Sequence, residues 1–405
     1  MSQGSNSSAL RHFNECVVIS TLRKQGSATK PELAKLVGLT LPALTRIIDD
    51  LEVRELLQST GRKTQGVGQP SNIYQINPES LYSIGVHFDR EIINFMLANF
   101  AGKPLALSSI EYSNIDPIST VDIIYKETQK LFAKLTSSQA KKFVGIGIAM
   151  PWFLGSWAEM DEETSRQWMA FDLATALEEK LPHKIFYENN CTAAAAAELH
   201  FGKTIGANNI LYIYIGKFVG GGLILNGDLE RGVFSNAASL ATMPVPPSSL
   251  YNNVDSQDFT TLVDRASIGS LIKYLNSYNI KINNIAQLTN IIDDNRLLVH
   301  EWMLDCAESL VYAIYSSISL LDLEKVIIDS DLPRHLLTEL IDIVKRKLDK
   351  NKQVNLFLPE IQQGSLGTNA KVIGGAILPL YTHFAPDKTI ILKGGIPHRD
   401  KFANN

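Results

Sequence analysis

From Leu41 onward, apolar residues fall at Leu44, Ile47, Ile48 and Leu51, with Thr45, Arg46, Asp49 and Asp50 between them. Spacing by three and four places these two sets on opposite faces of a helix. That predicts a helix over Leu41–Leu51, with Thr40 as N-cap and Pro42 in its first turn. Upstream, Val17, Val18, Ile19 and Leu22 mark a helix over Arg11–Leu22, closed by Gly26-Ser27-Ala28 and preceded by a polar leader over residues 1–10. Thr29-Lys30-Pro31-Glu32 is a capping-box pattern opening a short helix Glu32–Leu36, and Val37-Gly38-Leu39 turns the chain into the next one. Leu56–Ser59 and Ile73–Ile76 read as strands joined by Thr60–Ser71, a loop carrying Arg62, Lys63 and Gln69. Two short helices joined by a tight turn, then a hairpin, describe a winged helix-turn-helix.

Beyond a linker at Asn77–Ser80 the period changes. Tyr82–Phe88, Ile92–Asn99 and Leu105–Tyr112 read as strands, Val121–Leu135 as a helix and Phe143–Met150 as a returning strand. A second set follows: strand Lys184–Tyr187, helix Cys191–Phe201, strands Ile210–Ile215 and Gly221–Leu225, helix Leu298–Leu321, strand Lys325–Ile328, helix His335–Asp349 and an Ala/Gly-dense helix Leu366–Leu380. Strands alternating with helices predict an α/β body of two lobes with a cleft between them.

Composition narrows the class. At 405 residues the chain fits two or three domains, and 45% hydrophobic content supplies their cores. Net charge is −4 and the pI about 6.1, so bulk charge does not mark a polyanion binder. The first 76 residues differ, with nine Lys/Arg against six Asp/Glu. Three scattered cysteines, Cys16, Cys191 and Cys306, support neither a disulfide framework nor a zinc site, and a reducing cytoplasm is the expected compartment. The longest apolar stretch, Val144–Gly155, is broken by Pro151 and falls short of the ~20 residues a span needs, so no membrane is expected. No signal peptide is expected from the polar start. Trp168 is expected in the core, Trp152 and Trp157 either in the core or walling a pocket, and Asp161-Glu162-Glu163 at a solvated helix start.

The polar face of Leu41–Leu51 carries the sharpest chemistry. Thr40, Leu41, Pro42, Ala43, Thr45 and Arg46 lie in the N-terminal half, where a recognition helix meets base edges in the major groove. Arg46 suits guanine, Thr45 suits a base edge or phosphate, and Leu41 or Ala43 suits a thymine methyl. Arg62 and Lys63 suit phosphate or the minor groove, while Gln69 brings no charge. The rival reading is a small protein-interaction domain.

Three body segments carry a resemblance: Gly145-Ile146-Gly147-Ile148-Ala149-Met150-Pro151; Glu188-Asn189-Asn190 feeding the Ala-rich run to Glu198; and Gly216-Lys217-Phe218 ahead of Gly220-Gly221-Gly222, Asn226-Gly227 and Arg231-Gly232. In this order, behind the winged head, they resemble the ROK family of repressors and sugar kinases over roughly residues 14–380. The kinases of that family imply an Asp-x-Gly-Gly-Thr phosphate loop, and this chain has Asp89-Arg90-Glu91 after His87-Phe88. Their Gly-Thr-Gly is here Gly216-Lys217-Phe218, their later Gly-Gly is Asp329-Ser330-Asp331, and the aspartate that acts as general base is Asn190. An amide accepts no proton at neutral pH, so the resemblance implies a body that has lost phosphoryl transfer. Sugar hydroxyls remain within the chemistry of Asn189 and Asn190, and the family's Gly-Glu-x-Gly-His sugar segment appears as Asn236 to Thr242, with Ser239 and Thr242 in place of Glu and His. Without that His and the family's clustered cysteines, no metal is expected, nor any other cofactor.

The expected fold class is α/β: a winged helix-turn-helix over 1–78; a first lobe over 79–200, completed by 381–405; and a second lobe over 201–380 that carries oligomerisation. The expected function is a DNA-binding regulator, a repressor of carbohydrate genes. Its partners are a double-stranded DNA operator, a sugar or sugar derivative, and further copies of itself as homodimer or homotetramer. The rivals are a sugar kinase with a regulatory head and a DNA-binding scaffold that answers to no ligand.

Overall fold

A computed structural model describes residues 7–63, 70–89, 92–112, 116–152, 161–202, 207–250, 258–282, 287–288, 291–352 and 354–384. Gln69, Trp157, Arg90, Glu91 and the segment 385–405 lie outside them.

The head consists of α1 (Ser7–Gln25), β1 (Ala28–Thr29), α2 (Lys30–Val37), α3 (Leu41–Val53), β2 (Leu57–Lys63) and β3 (Ser71–Ile76). The capping box forms: Thr29 Oγ1 accepts from Glu32 N and Glu32 accepts from Thr29 N at 2.8 Å. Gly38 closes α2 in the left-handed region, φ 69°, where a β-carbon is penalised. Thr40 stands at the N-cap of α3 but its side chain makes no capping bond, so the expected cap is positional only. Leu44, Ile47, Ile48 and Leu51 face inward, at most 6% exposed; burial of each contributes roughly 1.5–3 kcal/mol. The two-residue β1, which no periodicity signals, adds to β3 and makes the hairpin a three-stranded antiparallel sheet of order β1-β3-β2.

The body repeats one plan twice. The first sheet has β4 (Tyr82–Phe88), β5 (Ile92–Asn99), β6 (Pro104–Glu111), β7 (Phe143–Met150) and β8 (Ile185–Asn189), in the order β6-β5-β4-β7-β8. Its helices are α4 (Pro117–Phe132), α5 (Ser137–Ala140), α6 (Glu162–Ala170) and α7 (Leu173–Lys180); α8 (Asn190–Phe201) leads out of it. The second sheet has β9 (Ile210–Ile215), β10 (Val219–Leu225) and β11 (Asp228–Glu230), then, beyond β12 (Pro244–Val245), β13 (Thr260–Thr261), α9 (Leu262–Arg265), α10 (Ile268–Ser277) and α11 (Arg296–Leu321), β14 (Lys325–Ser330). After α12 (Arg334–Lys350) comes β15 (Glu360–Gln363), and the order is β11-β10-β9-β14-β15. In each sheet an antiparallel meander joins parallel strands: β4 runs parallel to β7, and β9 to β14. Trp168 is core, as expected, and Asp161 caps α6 by accepting from Thr164 N. Helix α11 is long and apolar enough to cross a bilayer, a possibility the apolar-stretch reading overlooked. Its residues Val299, Trp302, Met303, Cys306 and Leu310 are buried in the second-lobe core.

The last described helix, α13 (Ala370–Phe384), packs on the first sheet, although a lobe boundary at 380 would place nearly all of it in the second lobe. The glycines explain how it approaches so closely. A β-carbon on Gly85 would overlap the Ala376 backbone, and one on Gly147 would overlap Gly375 O. On another side, Gly374 leaves room for the Ala193 carbonyl of α8. Ala193–Ala197 are fully buried, so α8 can take only small side chains there.

Asn77–Ser80 is no slack linker. Pro78–Ser80 forms a 3₁₀ turn, Phe100 N donates to Pro78 O at 3.1 Å, and Arg23 of α1 donates to Phe100 O at 2.7 Å. Phe100, Leu380 and Phe384 of the body share one hydrophobic cluster with Val18, Ile19 and Leu22 of the head.

Candidate functional site

The asparagines that the resemblance assigns to sugar stand where β8 runs into α8. Asn189 is the N-cap, its Oδ1 accepting from Cys191 N at 3.0 Å and Thr192 N at 3.4 Å. Asn190 Oδ1 also accepts from Cys191 N, at 2.8 Å. The sequence leaves each amide free to donate and accept, whereas the fold engages both oxygens at the helix start and leaves the NH₂ groups to offer. Glu188 is buried and accepts from Arg231 Nε at 2.7 Å, an ion pair from the first lobe to the loop after β11. Trp152 adds a second tie across the lobes, donating to Ser235 O at 2.8 Å. Asn236, on the loop so anchored, is exposed. Ser239 and Thr242 are exposed on a 3₁₀ turn beside β10, and the Thr242 hydroxyl donates to Ser239 O at 3.1 Å. The structure thus brings Asn189, Asn190 and the loop holding Asn236 to one interlobe seam. No hydrogen bond among the described residues joins Ser239 or Thr242 to the asparagines.

The segments that the kinase resemblance assigns to phosphate converge on a lysine. Lys371, near the start of α13 and only 5% exposed, holds its Nζ 3.6 Å from Asp89 Oδ2 and 4.2 Å above the Tyr214 ring. Tyr214 donates to Asp331 Oδ1 at 2.5 Å. A β-carbon on Gly216 would sit 2.9 Å from Asp331 Oδ2 and 3.4 Å from Lys371 Nζ, so that glycine is the floor of the cluster. Burial opposes the ammonium, but Asp331 and Asp89 outweigh it and raise the Lys371 pKa above its usual value. His87 Nε2 lies 3.6 Å from Asp89; burial holds the ring below its ordinary range, and Lys371 adds to that effect. Asp329 is fully buried and accepts from Ser330 N, Gly367 N and Arg334 Nη1 at 2.9–3.0 Å. Lys371 did not emerge from the sequence, and Arg231 did so only as part of the Arg231-Gly232 pair, not as an ion-pair partner. The available signal was a single cation in the otherwise apolar run Ala370–Leu380.

In the head, Thr40, Leu41, Pro42, Ala43 and Arg46 are exposed and Thr45 half-buried, on the face of α3 opposite its core. Arg62 is exposed on β2. Lys63 is not idle: its Nζ donates to Glu32 Oε1 at 2.8 Å, tying β2 to the capping box. That bond first, with the two from Thr29, pulls the Glu32 carboxyl down to about 2.

Among the described residues no group of three or more His, Cys, Asp or Glu could hold a metal ion. The three cysteines are free and buried, and burial raises each thiol.

Comparison with known proteins fits this architecture. The xylose repressor of Bacillus subtilis is 22% identical over 236 residues, which cover 58% of this chain and 61% of that one. The crystal structure of a ROK family transcriptional regulator, a homolog of the E. coli MLC protein, superposes with a TM-score of 0.67 at 17% identity, over 95% of this chain and all of the other. The ROK hexokinase of Thermus thermophilus superposes at 0.54 and 18% identity, over 74% of this chain and 98% of its own. These likenesses give the fold, and they span regulators and kinases alike. The ROK family model matches residues 84–382, about three quarters of the sequence, and the chain belongs to the ROK family.

Proposed function

We propose that this protein is a cytoplasmic DNA-binding repressor of carbohydrate genes whose kinase-like body senses a sugar and transfers no phosphate. The observation that carries the DNA reading is the double-faced helix α3. Its apolar residues seal the head, while Thr40, Leu41, Pro42, Ala43 and Arg46 stand exposed together at its N-terminal half. With α2, the left-handed turn at Gly38 and the β2–β3 hairpin, this arrangement supports the reading of a winged helix-turn-helix, in which those residues and Thr45 would meet base edges. Arg62 would reach phosphate, Gln69 is a further candidate contact by its residue type, and Lys63 would exchange Glu32 for phosphate. Two heads on half-sites need a homodimer or homotetramer. The repressor named among its relatives favours a carbohydrate operon.

Two features argue against turnover. Asn190 matches the position that the resemblance gives to the general base, and its oxygen is engaged by Cys191 N in the first turn of α8. Lys371 and Asp331 lie beside Gly216, among the segments that the kinase resemblance assigns to phosphate-binding amides. Asn189, Asn190 and Asn236 are the sugar contacts of this reading, with Ser239 and Thr242 at its rim. The test is Arg46→Ala against promoter fragments of the source genome. Specific retention should fall by about 1–3 kcal/mol with the fold unchanged; undiminished affinity overturns the assignment of α3.

A further inference from the structure

We infer that Asp89, Lys371 and Asp331 form a closed charge cluster that makes the interlobe cleft selective for uncharged polyhydroxy ligands and against their phosphate esters. This rests on the sugar-binding reading of the body and adds the chemical class of the ligand. The cluster lies beside the sugar-side residues. Cys191, which follows Asn190, is close enough to feel the charges of Lys371, Asp89 and Asp331, and it packs against Gly220 next to the cluster's glycine floor.

A phosphate dianion needs donors that are not already taken. Among the described residues of this place they are taken. Lys371 Nζ faces two carboxylates and the Tyr214 ring. Tyr214 donates its hydroxyl hydrogen bond to Asp331. Arg334 donates to Asp329 and to Gly364 O, and the backbone N–H groups of Ser330 and Gly367 also point at Asp329. In the first turn of α8 the Cys191 N–H is capped by both asparagines and the Thr192 N–H by Asn189, and Arg231 is paired with Glu188. Lys217, on the β9–β10 turn, has a partner of its own. Lys371 is therefore one cation between two anions. A phosphate brought to it meets net negative charge, with no ammonium to spare, in a setting that screens poorly. A neutral hydroxyl meets no such barrier: the NH₂ groups of Asn189 and Asn190 donate to it, and carboxylate oxygens accept from it.

The experiment is calorimetric titration of the full-length protein with a panel of pentoses, hexoses and amino sugars, each beside its phosphate ester, with inorganic phosphate as a further probe. Expected is binding of at least one parent sugar, with its ester at least tenfold weaker, which is about 1.4 kcal/mol, and no heat from inorganic phosphate. Asp331→Asn, which keeps shape and a Tyr214 partner while removing one negative charge, should shrink the sugar-to-ester ratio towards unity. Circular dichroism and melting confirm that the variant is folded, and Glu360→Gln, on the outer strand β15, serves as the charge-change control. An ester that binds as well as or better than its parent overturns the inference while leaving sugar sensing intact. So does a ratio that Asp331→Asn leaves unchanged. Absence of binding by every parent sugar and ester overturns the sugar-binding reading itself, and the inference with it.

Discussion

Replacing Lys371 with methionine removes one charge and little volume, and so tests whether the cleft is held by that charge. At 3.6 Å from Asp89 the ammonium gains roughly 4–5 kcal/mol of attraction at an effective dielectric of 20. Much of this is offset by the several kcal/mol that desolvating the ion costs. Deletion does not simply return that balance to zero, because it leaves Asp89 and Asp331 facing one another without a counter-ion. Breaking a buried pair from one side costs about 3–5 kcal/mol. Asp89 keeps some contact with solvent, at 24% side-chain exposure, which places the expected loss near the lower end, about 3 kcal/mol. The sign with pH follows from the raised Lys371 pKa. The stabilisation is fully present below the unfolded value of 10.5 and is lost as pH rises through the higher folded value, so the deficit of the variant is constant through the neutral range. Urea unfolding followed by tryptophan fluorescence reads the loss. NMR of His87 reads the cause: Lys371 helps hold that ring neutral, so its titration must move upward in Lys371→Met. Unchanged stability together with an unmoved His87 titration would refute the charge-cluster account.

Two further outcomes follow from the same geometry. On the proposed reading, Asn190→Asp supplies the residue type that the resemblance gives to the general base but no phosphate seat, so a coupled ADP-release assay across a hexose panel should stay at background; measurable turnover would show that the Lys371 cluster does not block nucleotide. The Glu32 carboxyl, held at about 2, stabilises the start of α2 above its ordinary value of 4.5, and that contribution is lost as pH falls through 2. In Lys63→Gln, NMR titration of Glu32 should therefore move upward, and a midpoint still near 2 would contradict the pairing.

Much of the fold is legible in one dimension because the core writes itself as periodicity. Leu44, Ile47, Ile48 and Leu51 announce α3, and Tyr82–Phe88 reads as a strand, which the fold then buries along its whole length. Short partners escape this reading. Strand β1 has two residues and exists only because β3 offers it an edge, and β11 has three. The site was half legible. Asn189, Asn190 and Asp331 stand in order along the chain, but their hydrogen-bond commitments depend on how α8 starts and on what α13 brings beside it. Lys371 is 282 residues from Asp89 in sequence, and only the close packing allowed by Gly85, Gly147 and Gly374 carries it there. Similarly, nothing in Asn77–Ser80 foretells that head and body share a hydrophobic cluster, because its members Phe100, Leu380 and Phe384 come from distant segments.

That shared cluster suggests how a ligand in the cleft could be felt by the head. Helix α13 spans 15 residues, about 22 Å. One end carries Lys371 into the charge cluster, and the other seats Leu380 and Phe384 among Val18, Ile19 and Leu22 of α1, with the Phe384 ring 5.3 Å from that of Phe100. Between these ends the helix is gripped by the first sheet, Ser83 donating to Ala376 O at 2.6 Å. A packed helix held this closely shifts as a body, so a ligand that alters the seat of Lys371 also presses on the contact with α1. Spatial continuity alone does not establish coupling, and a variant at the far end can. Phe384→Ala touches neither the cleft nor the exposed face of α3. It should leave sugar affinity and operator affinity each within a few-fold of the parent, while reducing the factor by which sugar changes operator affinity, a factor commonly 5–150-fold or about 1–3 kcal/mol in such systems. Operator titrations by fluorescence anisotropy, with and without sugar, give that factor directly. A full response in Phe384→Ala would mean that the signal reaches the head by another route, through Arg23 at Phe100 or the turn at Pro78, and that α13 is scaffold only.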